Sequence, residues 1–165
     1  MNARLSDHHQ AADRWESGKQ TDRGCVVFQR ILVPLDLAQK NQSALASAAE
    51  MAHQHQATIL LLHVIERIEH VPEEELKSFY HRLEQGVQRE LSAAAQTLAE
   101  QGVIASTHIV FGRRAEDVVR FAIQNQVDLI VLRSHRYDPQ TAKFPVGTLS
   151  HQIAVLSQCA VLLVK

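Results

Sequence analysis

From Phe28 onward the chain alternates between short, dense apolar runs and longer segments in which apolar side chains recur every three or four residues. Four runs, "FQRILVPLD" from Phe28, "ATILLLHVI" from Ala57, "VDLIVL" from Val127 and "CAVLLV" from Cys159, are too continuous for half-solvated strands. The first reads as a strand covered on both faces and the second as another buried strand, with the other two as strands four and five. The run from Ile104 to Phe111 instead interleaves Ser106 and His108, which predicts a sheet edge with one wetter face. Between the runs lie helical patterns. Asn41, Gln42 and Ser43 offer N-cap chemistry before Leu45, Ala48, Ala49 and Ala52. The second strand ends near Val64, and Pro72 with Glu73, Glu74 and Glu75 then suits the positive end of a long helix. Its apolar face runs through Leu76, Phe79, Tyr80, Leu83, Val87, Leu91, Ala94, Ala95 and Leu98 until Gly102 supplies a left-handed stop. Gly112 turns the chain into a helix carrying Val118, Val119, Ala122 and Ile123, and a last helix spans about Thr148 to Ser157.

Five strands alternating with four helices predict an α/β fold: an open, doubly wound, five-stranded parallel sheet with helices on both faces. Pattern alone leaves the strand order open between the two common doubly wound arrangements. Residues 1–26 mix Asp, Arg, His, Gln and Gly without periodicity and are expected to form a flexible N-terminal tail, with Trp15 its large apolar anchor. Residues 27–165 form one domain, a length that can bury a self-sufficient core.

Charge and cysteine usage narrow the setting. A formal net charge of -1 provides no global field toward nucleic acid or anionic membrane, so any anion site must be local. Cys25 and Cys159 lack CxxC or metal-ligand spacing and read as small apolar side chains in a reducing compartment. No run approaches the roughly 18 apolar residues of a membrane helix, and no signal-peptide centre is visible. A cytoplasmic protein without membrane insertion is expected.

In open parallel sheets ligands collect outside the carboxyl ends of the strands, where the winding reverses. After the first strand, Pro34 stiffens the exit and Asp36 either accepts hydrogen bonds from a ribose or adenine group or caps its own loop. After the fourth strand runs a long charged loop with Arg133, Ser134, His135, Arg136 and Lys143, ending in "VGTLS". Structureless loops beyond about 12 residues are commonly functional or disordered. Gly147 and Thr148 at a helix start either form an ordinary N-cap or present free N–H groups and a hydroxyl to phosphate, with Ser150 as a further donor.

Taken in order, "ILVPLD", "LLHVI", "GRRAEDVVRFA", "DLIVLRSH" and "VGTLSHQIAVLSQCAVLLV" resemble the universal stress protein family, over Phe28 to Lys165. The resemblance implies a Rossmann-like sheet of order 3-2-1-4-5, a cytoplasmic location, and a homodimer paired through the last strand, Ala160 to Lys165. It also implies a site for ATP or AMP, without a required metal, at the switch point. The cofactor-binding residues it selects are Pro34, Asp36, Val64, Arg133, Ser134, His135, Arg136, Gly147, Thr148 and Leu149. The family's nucleotide-binding branch carries Gly, two residues, Gly, nine residues, then Gly and Ser or Thr. Here Arg133 and Arg136 occupy the first two glycine positions, Gly147 and Thr148 keep the last part, and the spacer is one residue longer. Arginines neither let backbone approach phosphate nor adopt positive φ easily. They therefore either replace amides by guanidinium contacts or pair with acids such as Asp138 while Phe144 and Pro145 close the site.

Ten histidines invite a metal hypothesis, but His53 and His55 point about 200 degrees apart on a helix and read as solvated face. His63 and His135 could converge at the crevice; for His63 a structural role fits better. No GxxxxGK[ST], GxSxG or HExxH is present, and no carboxylate pair or metal cluster stands near the loop, so catalysis is not expected. The alternative to a nucleotide-binding stress-response module is a stress protein of the same fold that binds no nucleotide and acts through protein–protein contacts. "AVLLVK" would be an exposed edge in a monomer, which favours pairing between copies.

Overall fold

A computed structural model describes residues 28–36, 41–68, 73–134 and 147–165. The segment 1–26, expected to be a tail, and the loop residues His135, Arg136, Asp138, Lys143, Phe144 and Pro145 lie outside the described residues. Among the described residues the elements are β1 (Arg30–Pro34), α1 (Gln42–His55), β2 (Thr58–Glu66), α2 (Glu73–Glu100), β3 (Ala105–Gly112), α3 (Arg114–Gln124), β4 (Leu129–Arg133), α4 (Leu149–Leu156) and β5 (Ala160–Val164). They build one parallel sheet in the order β3-β2-β1-β4-β5, the Rossmann-like arrangement implied by the resemblance.

The continuous apolar runs follow from this layering. Along β1, Ile31 and Val33 pack on the face covered by Ala44, Ala48 and Ala52 of α1 and Val87, Leu91 and Leu98 of α2. Between them, Leu32 turns to the opposite face, against Ala115, Val118 and Ala122 of α3 and Ile153 of α4. Successive strand residues point to opposite faces, so a strand with helices on both sides must be apolar at every position. The small side chains of α1 let that helix approach the sheet closely. β3 is an edge, as its interleaved polar residues predict, and every one of its residues is only partly buried. β5 is the other edge, joined to β4 from Leu129↔Ala160 through Arg133↔Val164.

Several local expectations change. β2 continues to Glu66, two residues past Val64, because its pairing with β3 persists through Glu66↔Gly112. Gly102 does have positive φ (76°) after α2, but Gly112 does not make a turn by left-handed backbone. It closes β3, and a β-carbon there would stand 1.9 Å from Oδ2 of Asp117. Asp117 is buried and its carboxylate accepts the backbone N–H of Arg113 (2.6 Å) and a hydrogen bond from Arg120. The inward face of α3 is thus Ala115, Asp117, Val118 and Ala122, while Ile123 is 51% exposed. Nor does α1 take a side-chain cap; Asn41 turns its amide toward Asp36 instead.

Candidate functional site

The winding reverses between β1 and β4, and their carboxyl ends open into a cleft of about 520 Å3. The exits of β1, β2 and β4 and the starts of α3 and α4 contribute to it. Of the residues selected from the sequence, Pro34, Asp36, Val64, Arg133, Thr148 and Leu149 line this cleft. Asp36 at the exit of β1 and Arg133 at the end of β4 therefore line a common space. His135 and Arg136 lie outside the described residues.

Asp36 takes the loop-capping role, one of the two read from the sequence. Nδ2 of Asn41 donates to its Oδ1 (2.7 Å) and to its backbone carbonyl (2.5 Å), so the aspartate braces its own loop. The side chain is exposed, and Asp36 lines the cleft. Pro34 ends β1 in register with Leu62, and the next amide, Leu35 N–H, donates to the Leu62 carbonyl at 2.8 Å. This fixes where the chain leaves the sheet.

On the other side of the switch point the strand runs on where the family's signature calls for glycine. Arg133 is paired with Val164, and the Ser134 N–H donates to the Val164 carbonyl at 2.8 Å. That amide is consequently engaged by the sheet and cannot cradle a phosphate; Arg133 itself lines the cleft. Ser134 is buried beside the cleft rather than lining it. Its hydroxyl accepts from Nζ of Lys165 (3.0 Å) and lies 3.5 Å from Oγ of Ser150.

Gly147 precedes α4 with φ +91°, a conformation that an L side chain rarely adopts and that aims the chain into the helix start. Thr148 is the N-cap, with Oγ1 accepting the His151 N–H at 3.4 Å and lying 3.2 Å from the Ser150 hydroxyl. The N-cap alternative is therefore the observed one. It does not remove the second role, because the first turn of the helix leaves backbone N–H groups pointing outward beside the positive dipole end.

Other lining residues were not selected from the sequence. Arg114, at the start of α3, lies 3.0 Å from Glu66 at the end of β2, so a second guanidinium stands on the α3 side of the cleft. Its signal was its place at a strand exit within "GRRAE". His63 bonds through Nδ1 to the Leu35 carbonyl (2.7 Å), which only accepts, so Nδ1 carries the proton and Nε2 is an acceptor when the ring is neutral. Ile68, Phe79 and Leu83 add an apolar wall, and the sequence had placed Phe79 and Leu83 on the core face of α2. No three His, Cys, Asp or Glu side chains converge on a metal-sized point among the described residues.

A parallel sheet of this order, with hydrogen-bonding and cationic groups gathered around one crevice at its switch point, defines a Rossmann-like α/β protein. The sequence model of the universal stress protein family matches residues 28–165, and the chain belongs to that family. Universal stress protein YxiE of Bacillus subtilis (strain 168) is 29% identical over 149 residues, which cover 84% of this chain and 100% of the relative. Universal stress protein UspA from Lactobacillus plantarum superposes with a TM-score of 0.73 at 23% identity, over 84% of this chain and 98% of that one. Two further solved structures share the fold at a TM-score of 0.61 and 17% identity over 84% of this chain. One, from Archaeoglobus fulgidus and covered over 99% of its length, is in complex with dAMP; the other, covered over 97%, is in complex with cAMP. No helix among the described residues is long and apolar enough to cross a membrane.

Proposed function

We propose that this universal stress protein is a homodimeric, non-catalytic stress-response module that binds an adenine nucleotide or a related phosphate ligand, ATP or AMP foremost, in the switch-point cleft. The observation that carries this reading is the shared cleft itself: Asp36 on one lip, Arg133 and the α4 N-terminus on the other, apolar surface between. A carboxylate can accept from ribose hydroxyls or an amino group, and a guanidinium beside a helix N-terminus suits phosphate. Nucleotide complexes of fold neighbours support the same choice. Because the Ser134 amide is held by the sheet, phosphate recognition here relies on side chains and on the α4 start more than on a glycine-built cradle. No metal is required in this reading, no nucleic acid is a partner, and the setting is the cytoplasm.

Isothermal titration with ATP, AMP and cAMP at low salt tests it. Saturable heat with at least one nucleotide is expected, and flat traces for all three overturn the reading. A phosphate-release assay on the same samples is expected to show no turnover of ATP.

The persistence of β4 through Arg133 favours a second reading, in which the protein binds no nucleotide and acts through protein contacts. Flat titrations together with partner capture that depends on residues 1–26 or on the β5 edge select it.

A further inference from the structure

Beyond the cleft, a second hollow of about 720 Å3 lies between the end of β2, Phe111 of β3 and the first turns of α2. Each hollow alone falls in the size range of a small-molecule pocket. Ile68 belongs to the walls of both. The hydroxyl of Tyr80 accepts the Ile68 backbone N–H at 2.6 Å, which fixes this divide to α2. Consecutive residues of that helix then serve opposite sides: Phe79 lines the cleft and Tyr80 the second hollow. Their ring centroids are 5.6 Å apart, and Tyr80 meets Phe111 edge-to-face at 5.7 Å, so aromatic surface continues from one hollow into the other.

Among the described residues the divide stays largely open to solvent. Ile68 is 47% and Phe79 43% exposed, among the few large apolar side chains so open to solvent. Cations stand on the outer hollow as well: Arg67 and Lys77 line it, with Glu74 and Glu84 as acceptors. Apolar rings flanked by both donors and acceptors fit a nucleobase and its sugar, and the cations fit phosphate between two such heads.

We propose that the two hollows form one elongated site for a dinucleoside polyphosphate, with one base in the switch-point cleft, the second on Tyr80 and Phe111, and the phosphate chain passing Ile68 toward Arg67 and Lys77. The proposal rests on the nucleotide reading above and extends it to the class of ligand. Stacking of the second base adds affinity that a mononucleotide cannot gain, by an amount that corresponds to at least about tenfold.

Titration calorimetry with AMP and with diadenosine tetraphosphate, on the wild-type chain and on Lys77→Glu, tests it. Lys77 is exposed, so the variant is expected to keep the wild-type circular dichroism. The expected result is one dinucleotide per chain, bound at least about tenfold more tightly than AMP. Lys77→Glu should remove that advantage and leave AMP affinity unchanged. Equal affinity for the two ligands, or a variant that weakens both alike, overturns the extended site while the nucleotide reading stands. Absence of heat with either ligand overturns the nucleotide reading and this inference together.

Discussion

A β-carbon at Gly112 would collide with the carboxylate of Asp117, whose position is set by the Arg113 amide on one side and Arg120 on the other. The buried carboxylate can retreat from a β-carbon there only by giving up the hydrogen bond from the Arg113 N–H. Gly112→Ala is therefore expected to destabilise the protein by about 1–3 kcal/mol, read from the midpoint of urea unfolding at constant m-value. His108 supplies a pH effect at the same scale. Burial lowers its pKa from the ordinary value of 6.5, its Nε2 lies 2.9 Å from the Ser106 hydroxyl, and its ring packs 4.9 Å from that of Phe121. The folded state thus prefers the neutral ring, and the unfolded chain binds the proton more readily. Its contribution to stability is complete above the unfolded pKa and is lost as pH falls from there through the lowered folded value. Thermal unfolding of His108→Gln between pH 7 and pH 5 should show a shallower loss than wild type. Equal slopes would remove His108 as the cause. In the cleft, Arg133→Glu puts a carboxylate where the ligand's phosphate is expected and should weaken nucleotide binding at least about tenfold, measured by titration.

At the scale of elements, α4 depends on its first turn. It has eight residues, and Thr148 supplies the side-chain cap. Thr148→Ala should cost about 1 kcal/mol of global stability by chemical unfolding. The same change should weaken nucleotide binding, because the α4 start forms part of the cleft wall; unchanged affinity would confine Thr148 to the cap. Element type was largely legible from period: dense runs became strands, buried on both faces in the middle of the sheet and partly buried at the β5 edge, and 3.6-residue repeats became helices. Faces were less legible. Phe79 carries the same helical signal as Leu83, Val87 and Leu91, yet it stays half exposed on the cleft wall while its neighbour Tyr80 packs on the core. Periodicity names the apolar side chains of a helix but not which of them the other elements cover.

At the scale of the molecule, β5 is an edge of the sheet β3-β2-β1-β4-β5, with its outer side unpaired among the described residues. An apolar edge strand of this kind is normally covered, and a second copy paired along Ala160 to Lys165 would do so. Sedimentation equilibrium over a hundredfold range of concentration is expected to show a dimer; a monomer throughout would count against this pairing. Cys159, immediately before that strand, does not need to be reactive for it. Its thiol pKa is raised, chiefly by burial, with a smaller push from the Asp128 charge against a lowering backbone hydrogen bond.

What the linear chain determined by itself is local: the alternation of strand and helix, the two-sided burial of the central strands, and the wetter character of β3. These depend on period, turn chemistry and side-chain type within a few residues of one another. Sequence likeness to known families added the strand order, which no local pattern encodes. Only the tertiary structure decided that Asp36 is already braced by Asn41, that β4 extends through Arg133, and that Arg114 and Phe79 come to the same cleft. The physical reason is distance along the chain: Asp36, Phe79, Arg114 and Arg133 are neighbours solely because β1 lies between β2 and β4 and the helices cross over those strands, and packing across elements sets which side chains remain exposed there.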